Sequence, residues 1–515
     1  MDMSSFLAAL SLLADPLTIA IMIAATFVGM VVGALPGLGT VTALAIALPL
    51  TFVLTAPQAI GVLLAIYVSS VFGGSIPALL INVPGTPQSA ATTFDGYPMT
   101  RKGHAAEAIG WATISSVIGG IFSMIVLSIF APRLAAFAVR FGPVETFALI
   151  AFSLTTIAWV SRGSTLTGLL AGCIGVFLSM IGADAMSGVD RYTFGNFALS
   201  GGLNVVPLLI GLFALSEVFS TAAKRQDQDL NAADVRSGFK VAPFREWWKL
   251  RATLLRSSVI GTFLGILPGV GATAASLISY AQARASSPRK DTFGEGEPEG
   301  LVASETANNA VTGGALVPSL ALGIPGDAAT AVMLGALVIH GITPGIQLFN
   351  RNPDLVSFIF VALLFANLIM LVVGAMSAHV FSRILKVPNA LVMAMIVPLS
   401  LAGSYVIRFS MIDVATAIIA GISGLILRYA GVPLAPIVIG FILGAPLETS
   451  LRQGLIITNM QPLNFFTYPI ADVFFAITLG VLLWPLVKMI RPKAVAGDAD
   501  SQSKTTSTEL EGNEK

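Results

Sequence analysis

The chain is poor in charge and almost without cysteine or histidine. Only 11% of its 515 residues are Asp, Glu, Lys or Arg, against roughly 25% in a soluble globular domain. With 55% hydrophobic residues and a mean hydropathy of +0.86, that scarcity excludes an ordinary soluble protein. A net charge of +1 offers no basic footprint for nucleic acid. The single cysteine, Cys173, excludes an intramolecular disulfide framework and a cysteine-based metal site. His104, His340 and His379 are scattered and lack metal-ligand spacing. H-E-x-x-H is absent and G-x-S-x-G has no credible setting, so no enzyme is expected and no catalytic or metal residue is assigned. No lysine or arginine precedes Arg101. The N-terminus therefore lacks the basic region of a signal peptide, and the first apolar segment is expected to be retained.

What the chain has instead is apolar length. Runs such as 17–35, 107–130, 203–222, 356–376, 410–427 and 473–490 approach the ~20 residues that cross a bilayer as helix. The expected fold is an all-α polytopic membrane protein with roughly 10–12 transmembrane segments, some broken or re-entrant. A polar stretch divides it. Residues 1–223 form a first half and 253–490 a second. The linker 224–252 carries seven Lys and Arg residues, with Trp247 and Trp248 as interfacial anchors. Residues 491–515 are polar and without apolar periodicity, so they read as a disordered tail.

The positive charge of the linker and of Lys488, Arg491 and Lys493 places both segments in the cytoplasm. The first hundred residues hold only Asp2, Asp15 and Asp95 as charges, and nothing keeps the N-terminus inside. A periplasmic N-terminus gives the first half an odd number of crossings, hence an inverted-topology repeat. A parallel repeat is the alternative.

The two halves share a phrase. Residues 33–39 read G-A-L-P-G-L-G and 265–271 read G-I-L-P-G-V-G. Gly73-Gly74, Pro77 and Val83-Pro84-Gly85-Thr86 are answered by Gly313-Gly314, Pro318 and Ile324-Pro325-Gly326-Asp327. Proline breaks helix and glycine reaches backbone angles closed to other residues. Broken helix in a bilayer leaves N–H and C=O groups unpaired, at several kcal/mol each, unless protein, water or ligand pairs them. Four breaks therefore mark a binding cavity. Around them, Gly37, Gly39, Thr40, Asn82, Gly85, Thr86, Ser89, Gly269, Gly271, Thr273, Asn308, Asn309, Gly326 and Thr330 are the candidate substrate contacts. Asp327, Glu305 and Thr312 are the candidate ligands of a coupling ion, expected to be Na⁺; no other cofactor is expected.

These motifs, with N-N-A-V-T-G-G-A-L-V-P-S-L-A-L-G-I-P-G-D at 308–327, closely resemble the large membrane subunit of the tripartite tricarboxylate transporters, the TctA family. The resemblance covers nearly the whole chain apart from the tail. It implies a multi-pass permease of the bacterial inner membrane. The implied partners are a small membrane subunit of the TctB type and a periplasmic solute-binding protein of the TctC type, besides membrane lipid. The implied substrates are carboxylates: citrate and other tricarboxylates, dicarboxylates and some aromatic acids. The driving force it implies is an ion gradient rather than ATP, and the chain has no G-x-x-x-x-G-K-S/T phosphate loop. An elevator-type displacement is expected by analogy with other carriers built from paired hairpins. The competing class is an anion channel, or a carrier working without a binding protein. Glu107, Glu145, Glu217, Asp413, Glu448, Arg408, Arg428 and Arg452 also fall in or beside apolar stretches, and membrane-interface positions are expected for them. The charged segment 284–300 has no equal in the first half and reads as a solvated connector, with a contact or gating loop as the alternative. A reporter fused at residue 3 is expected to report from the periplasmic side; a clear cytoplasmic signal overturns the inverted repeat.

Overall fold

A computed structural model of the chain describes residues 3–160, 165–224, 238–377 and 389–490. Linker residues 225–237, His379 and the tail 491–515 lie outside the described residues. The chain is an all-α polytopic membrane protein. Seven described helices are long and apolar enough to cross a membrane, and seven more apolar helices run 10–17 residues. Among the described residues the strands amount to a two-residue hairpin, Gly182–Ala183 against Asp190–Arg191.

Two helices form the centre. The span Ala56–Ile81 is 94% buried, whereas the peripheral Met411–Tyr429 is 28% buried. Pro298–Leu322 is buried from Glu299 to Ala321. Each central helix has a broken partner laid along it: Pro16–Ala34 beside Ala56–Gly73, and Arg251–Ile266 beside Pro298–Leu322.

The contacts repeat residue for residue. Gly33 and Gly265 each stand three residues before their proline. A Cβ on Gly33 would lie 2.2 Å from the Ser70 carbonyl oxygen, and one on Gly265 2.8 Å from that of Val311. From the other side, a Cβ on Gly73 would lie 2.3 Å from the Met30 carbonyl oxygen, and one on Gly314 2.4 Å from that of Thr262. Lipid gives no hydrophobic drive to helix association, so helices in it are held by close packing, which small residues permit. Small residues here serve packing as well as unwinding.

The linker docks on the first half. Lys240 pairs with Glu107 on the helix Ala105–Ala138. Trp247 packs on Trp111 at 4.1 Å between ring centroids, while Trp248 is exposed beneath Arg251. The segment 284–300 is held rather than merely solvated. Asp95, buried on Thr92–Arg101, accepts the N–H groups of Gly294 (2.8 Å), Gly296 (2.9 Å) and Glu297 (2.8 Å) on one oxygen. Its other oxygen accepts the Tyr280 hydroxyl at 2.9 Å.

Gly33→Val and Gly265→Val are expected to destabilise comparably, by about 1–3 kcal/mol or more from overpacking. Thermal unfolding in detergent checks this. Equal stability in either variant would mean that the seam is loose.

Candidate functional site

The breaks form as the local sequence dictates. A residue before proline is pushed out of the helical region. Leu35 (ψ 114°) and Leu267 (ψ 116°) are accordingly extended. Gly37 (φ 97°) and Gly269 (φ 85°) turn the chain in the left-handed region, and helix restarts at Gly39–Ala47 and Gly271–Ser286. The other two breaks share a different stop. Asn82 (φ 59°) and Gly323 (φ 71°) end their helices left-handed. Val83 N–H then reaches the Pro77 carbonyl and Ile324 N–H the Pro318 carbonyl, both at 3.3 Å, the bond of a Schellman stop.

Freed backbone groups find one another. Gly269 N–H donates to the Gly326 carbonyl at 2.8 Å, joining the two breaks of the second half. Gly85 N–H donates to the Gly74 carbonyl at 3.0 Å. Gly326 N–H donates to Ser319 Oγ at 3.2 Å.

The first-half breaks and the residues just after the second-half breaks meet at one cavity of about 700 Å³. Of the expected contacts, Gly37, Gly39, Thr40, Gly85, Thr86, Gly271, Thr273, Asn308, Thr312 and Asp327 line it. The others lie outside its lining. Asn82 is an exposed helix stop. Gly269 and Gly326 carry the bond between breaks. Ser89 is buried, bonded to Thr86 at 2.9 Å. Asn309 is fully buried, and its amide has no partner among the described residues. Glu305 is fully buried among the hydroxyls of Ser75, Thr92 and Ser116.

The N-termini of the restarted helices differ. Asp327 caps Ala328–Ile339: Oδ1 accepts Thr330 N–H at 2.8 Å, and Thr330 Oγ1 accepts Asp327 N–H at 3.0 Å. Tyr67 donates its hydroxyl to Oδ2 at 2.8 Å. Gly39–Ala47 and Gly271–Ser286 have no side-chain cap and no acidic residue in the first turn. Their free N–H groups and positive dipole ends suit an anion. Gln88 bridges the halves at this point, donating its side-chain amide to Thr40 Oγ1 (3.1 Å) and accepting the Ser276 hydroxyl at its backbone carbonyl (2.9 Å).

Glu217 and Arg428, expected at the membrane interface, both line the cavity as an ion pair. A Cβ on Gly37 would stand 3.1 Å from Glu217 Oε1, which shows how near the pair lies to the first break. Among the described residues Arg428 is the one cation in the lining, and its Nε has no partner. Just before Glu217 the helix widens into a π turn, Ile210–Leu215, and Thr42 donates to the Phe213 carbonyl there at 3.4 Å. The available signal was the cost of an isolated charge in a bilayer, which makes two opposite ones in apolar runs candidates for each other. Tyr67 carried no such signal. Of the remaining charges, Arg408 pairs with Asp413, Arg452 and Glu448 join Arg191 and Asp184, Glu107 pairs with Lys240, and Glu145 accepts the Gly142 N–H at 2.9 Å.

Residues 19–439 match the Tripartite tricarboxylate transporter TctA family. The chain belongs to the TctA family. It is also 34% identical over 479 residues, 93% of its length and 95% of the relative's, to a 52.8 kDa protein described as uncharacterized, in the TAR-I ttuC' 3' region of Agrobacterium vitis. A second Agrobacterium vitis protein, from the TAR-II ttuC' 3' region, is 34% identical over 233 residues, 45% of this chain and 96% of the relative. No solved structure matches the chain. Family membership makes this TctA protein a transporter's multi-pass membrane subunit, of a system whose other components are of TctB and TctC type.

Asp327→Asn keeps a good N-cap and is expected to leave stability nearly unchanged, whereas Asp327→Ala should lose about 1 kcal/mol. Denaturation in detergent distinguishes them; equal losses would show that the charge, not the cap, holds the break.

Proposed function

We propose that this TctA subunit imports carboxylates, tricarboxylates foremost, coupled to Na⁺. One observation carries the reading: among the described residues, one cavity is lined by the first-half breaks and by the residues just after the second-half breaks, and it holds two uncapped helix N-termini beside one arginine. The N-termini of Gly39–Ala47 and Gly271–Ser286, with Thr40, Thr273 and Arg428, receive the substrate's carboxylates. Asn308, an unpartnered buried amide in the lining, serves as donor or acceptor.

Charge argues for a co-transported cation. Glu217 and Asp327 against Arg428 leave the lining with a formal charge of −1 before any anion arrives. An anion entering such a site gains little unless cations come with it. Na⁺ is placed against Asp327, Thr312 and the unwound carbonyls. A TctC-type protein delivers substrate from the periplasm and a TctB-type subunit completes the membrane complex. The subunit sits in the bacterial inner membrane with its N-terminus periplasmic and its linker and tail cytoplasmic. Movement of the repeats as a body, of elevator type, exchanges access.

The test is labelled uptake into proteoliposomes holding both partner subunits, screening citrate, tartrate, C4-dicarboxylates and aromatic acids with and without Na⁺. Accumulation against a gradient is expected, stimulated by Na⁺. Downhill flux alone would indicate a channel. Asp327→Asn should weaken Na⁺ dependence, and unchanged dependence removes Asp327 from the ion site.

A further inference from the structure

A chain of hydroxyls leads from the cavity to a carboxyl group that the reading above leaves without a part in substrate binding. Thr86, in the cavity lining, lies 2.9 Å from Ser89 Oγ. Ser89 lies 3.2 Å from Ser75 Oγ. Ser75 donates to Glu305 Oε1 at 2.7 Å. A hydroxyl has one proton to give. Ser75's is committed to Glu305, so Ser89 donates to Ser75 and Thr86 to Ser89. All three bonds point the same way, from cavity to carboxylate.

Glu305 itself is fully buried. Thr92 donates to the same oxygen as Ser75, and Ser116 donates to Oε2 at 3.0 Å. Charged or titratable side chains on its own helix, on the packed elements and at the caps of Ala328–Ile339 are Glu299, Tyr67, Asp95, Tyr97, Arg101, Glu107, Arg133, Arg251, Arg256, Asp327, His340, Tyr280, Arg284 and Arg351. None of them forms a hydrogen bond or ion pair with Glu305. A buried carboxylate with no cation beside it is costly. Nor does the fold require one. Twenty residues before Pro325, Glu305 occupies the repeat position that Leu64 fills twenty residues before Pro84. Leu64 is equally buried. Nine residues before the same prolines, Ser75 stands opposite Leu316. The second half's glutamate and the first half's serine thus depart from the repeat together, and they meet.

We propose that Glu305 is a proton-binding site, loaded from the cavity through Thr86, Ser89 and Ser75, and that it adds a proton to the transport cycle. Each hydroxyl passes its proton to the next oxygen and receives one from the previous, ending chemically unchanged. A solvent proton enters at Thr86 and the Glu305 carboxylate becomes a carboxylic acid. The row of hydroxyls then points the other way, and turning it back resets the path. The cavity lining includes Thr86, Thr312 and Asp327 but not Glu305, which sets this carboxyl apart from the Na⁺ site proposed at Asp327 and Thr312.

The inference is tested beside the transport reading on which it rests. Uptake of citrate into proteoliposomes with both partner subunits is measured at fixed Na⁺, with and without an imposed pH gradient, alkaline inside. Wild type is expected to respond severalfold. In Glu305→Gln the ratio of uptake with the gradient to uptake without it should fall to unity, and in Ser75→Ala it should fall in the same direction. A wild type that accumulates citrate but ignores the pH gradient overturns the proton site and leaves Na⁺-driven import standing. A wild type that accumulates no carboxylate overturns the transport reading instead. A second readout is independent of transport. Infrared difference spectra of the purified subunit on acidification should show a protonated-carboxyl band that Glu305→Gln removes; its persistence in that variant overturns the assignment. If Glu305→Gln does not fold, an unchanged pH-gradient ratio in Ser75→Ala has the same force.

Discussion

Backbone that leaves the helix inside a bilayer has to be paired by the protein itself, and this constraint organises the molecule. The bond from Gly269 N–H to the Gly326 carbonyl ties one break to the next. The bond from Gly85 to Gly74 ties a break to its own preceding helix. Such bonds form only if the helices carrying the breaks lie almost backbone to backbone. Gly33 against Ser70 and Gly265 against Val311 make that approach possible. Seam, breaks and cavity are consequently one construction: a side chain at the seam would move the breaks apart.

The repeat is close in backbone and divergent in chemistry. Tyr67 and Asn308 each stand seventeen residues before their proline. Tyr67 is engaged with Asp327 across the cavity, whereas Asn308 has no partner among the described residues. Thr86 answers to Asp327, so one restarted helix carries a hydroxyl where the other carries its own negative cap. Duplication supplies the shape, and the substitutions set on it supply polarity, with acidic character gathered in the second half. The ion pair at the cavity comes from neither pair of broken helices; Glu217 and Arg428 lie on Ser216–Lys224 and Met411–Tyr429.

The breaks were legible because Pro-Gly acts locally: the residues that stop each helix are adjacent in sequence, and their duplication marks them as deliberate. The class was legible from hydropathy. The central helix Pro298–Leu322 was not among the apolar runs, because Glu305, Asn308, Asn309 and Thr312 lower its hydropathy. Those side chains are tolerated because the helix is surrounded by protein rather than lipid. Partners far apart in sequence were not legible. Arg428 and Glu217 are separated by 211 residues, and Ser75 and Glu305 by 230. Adjacency of Glu305 to Asn308 follows from helical spacing; the hydroxyls around Glu305 follow only from how three other helices pack.

Asp95 has a consequence for how the protein is made. Its carboxylate is buried and depends on N–H groups of the 294–297 segment, the last of them 202 residues further along the chain. At 5–20 residues per second, about 10–40 s of synthesis separate the acceptor from its donors. Throughout that interval the first half is in or near the membrane with an unanswered charge on Thr92–Arg101. The contacts of that carboxylate cannot form until the second half arrives, so the two halves, though separable as repeats, complete their packing as one.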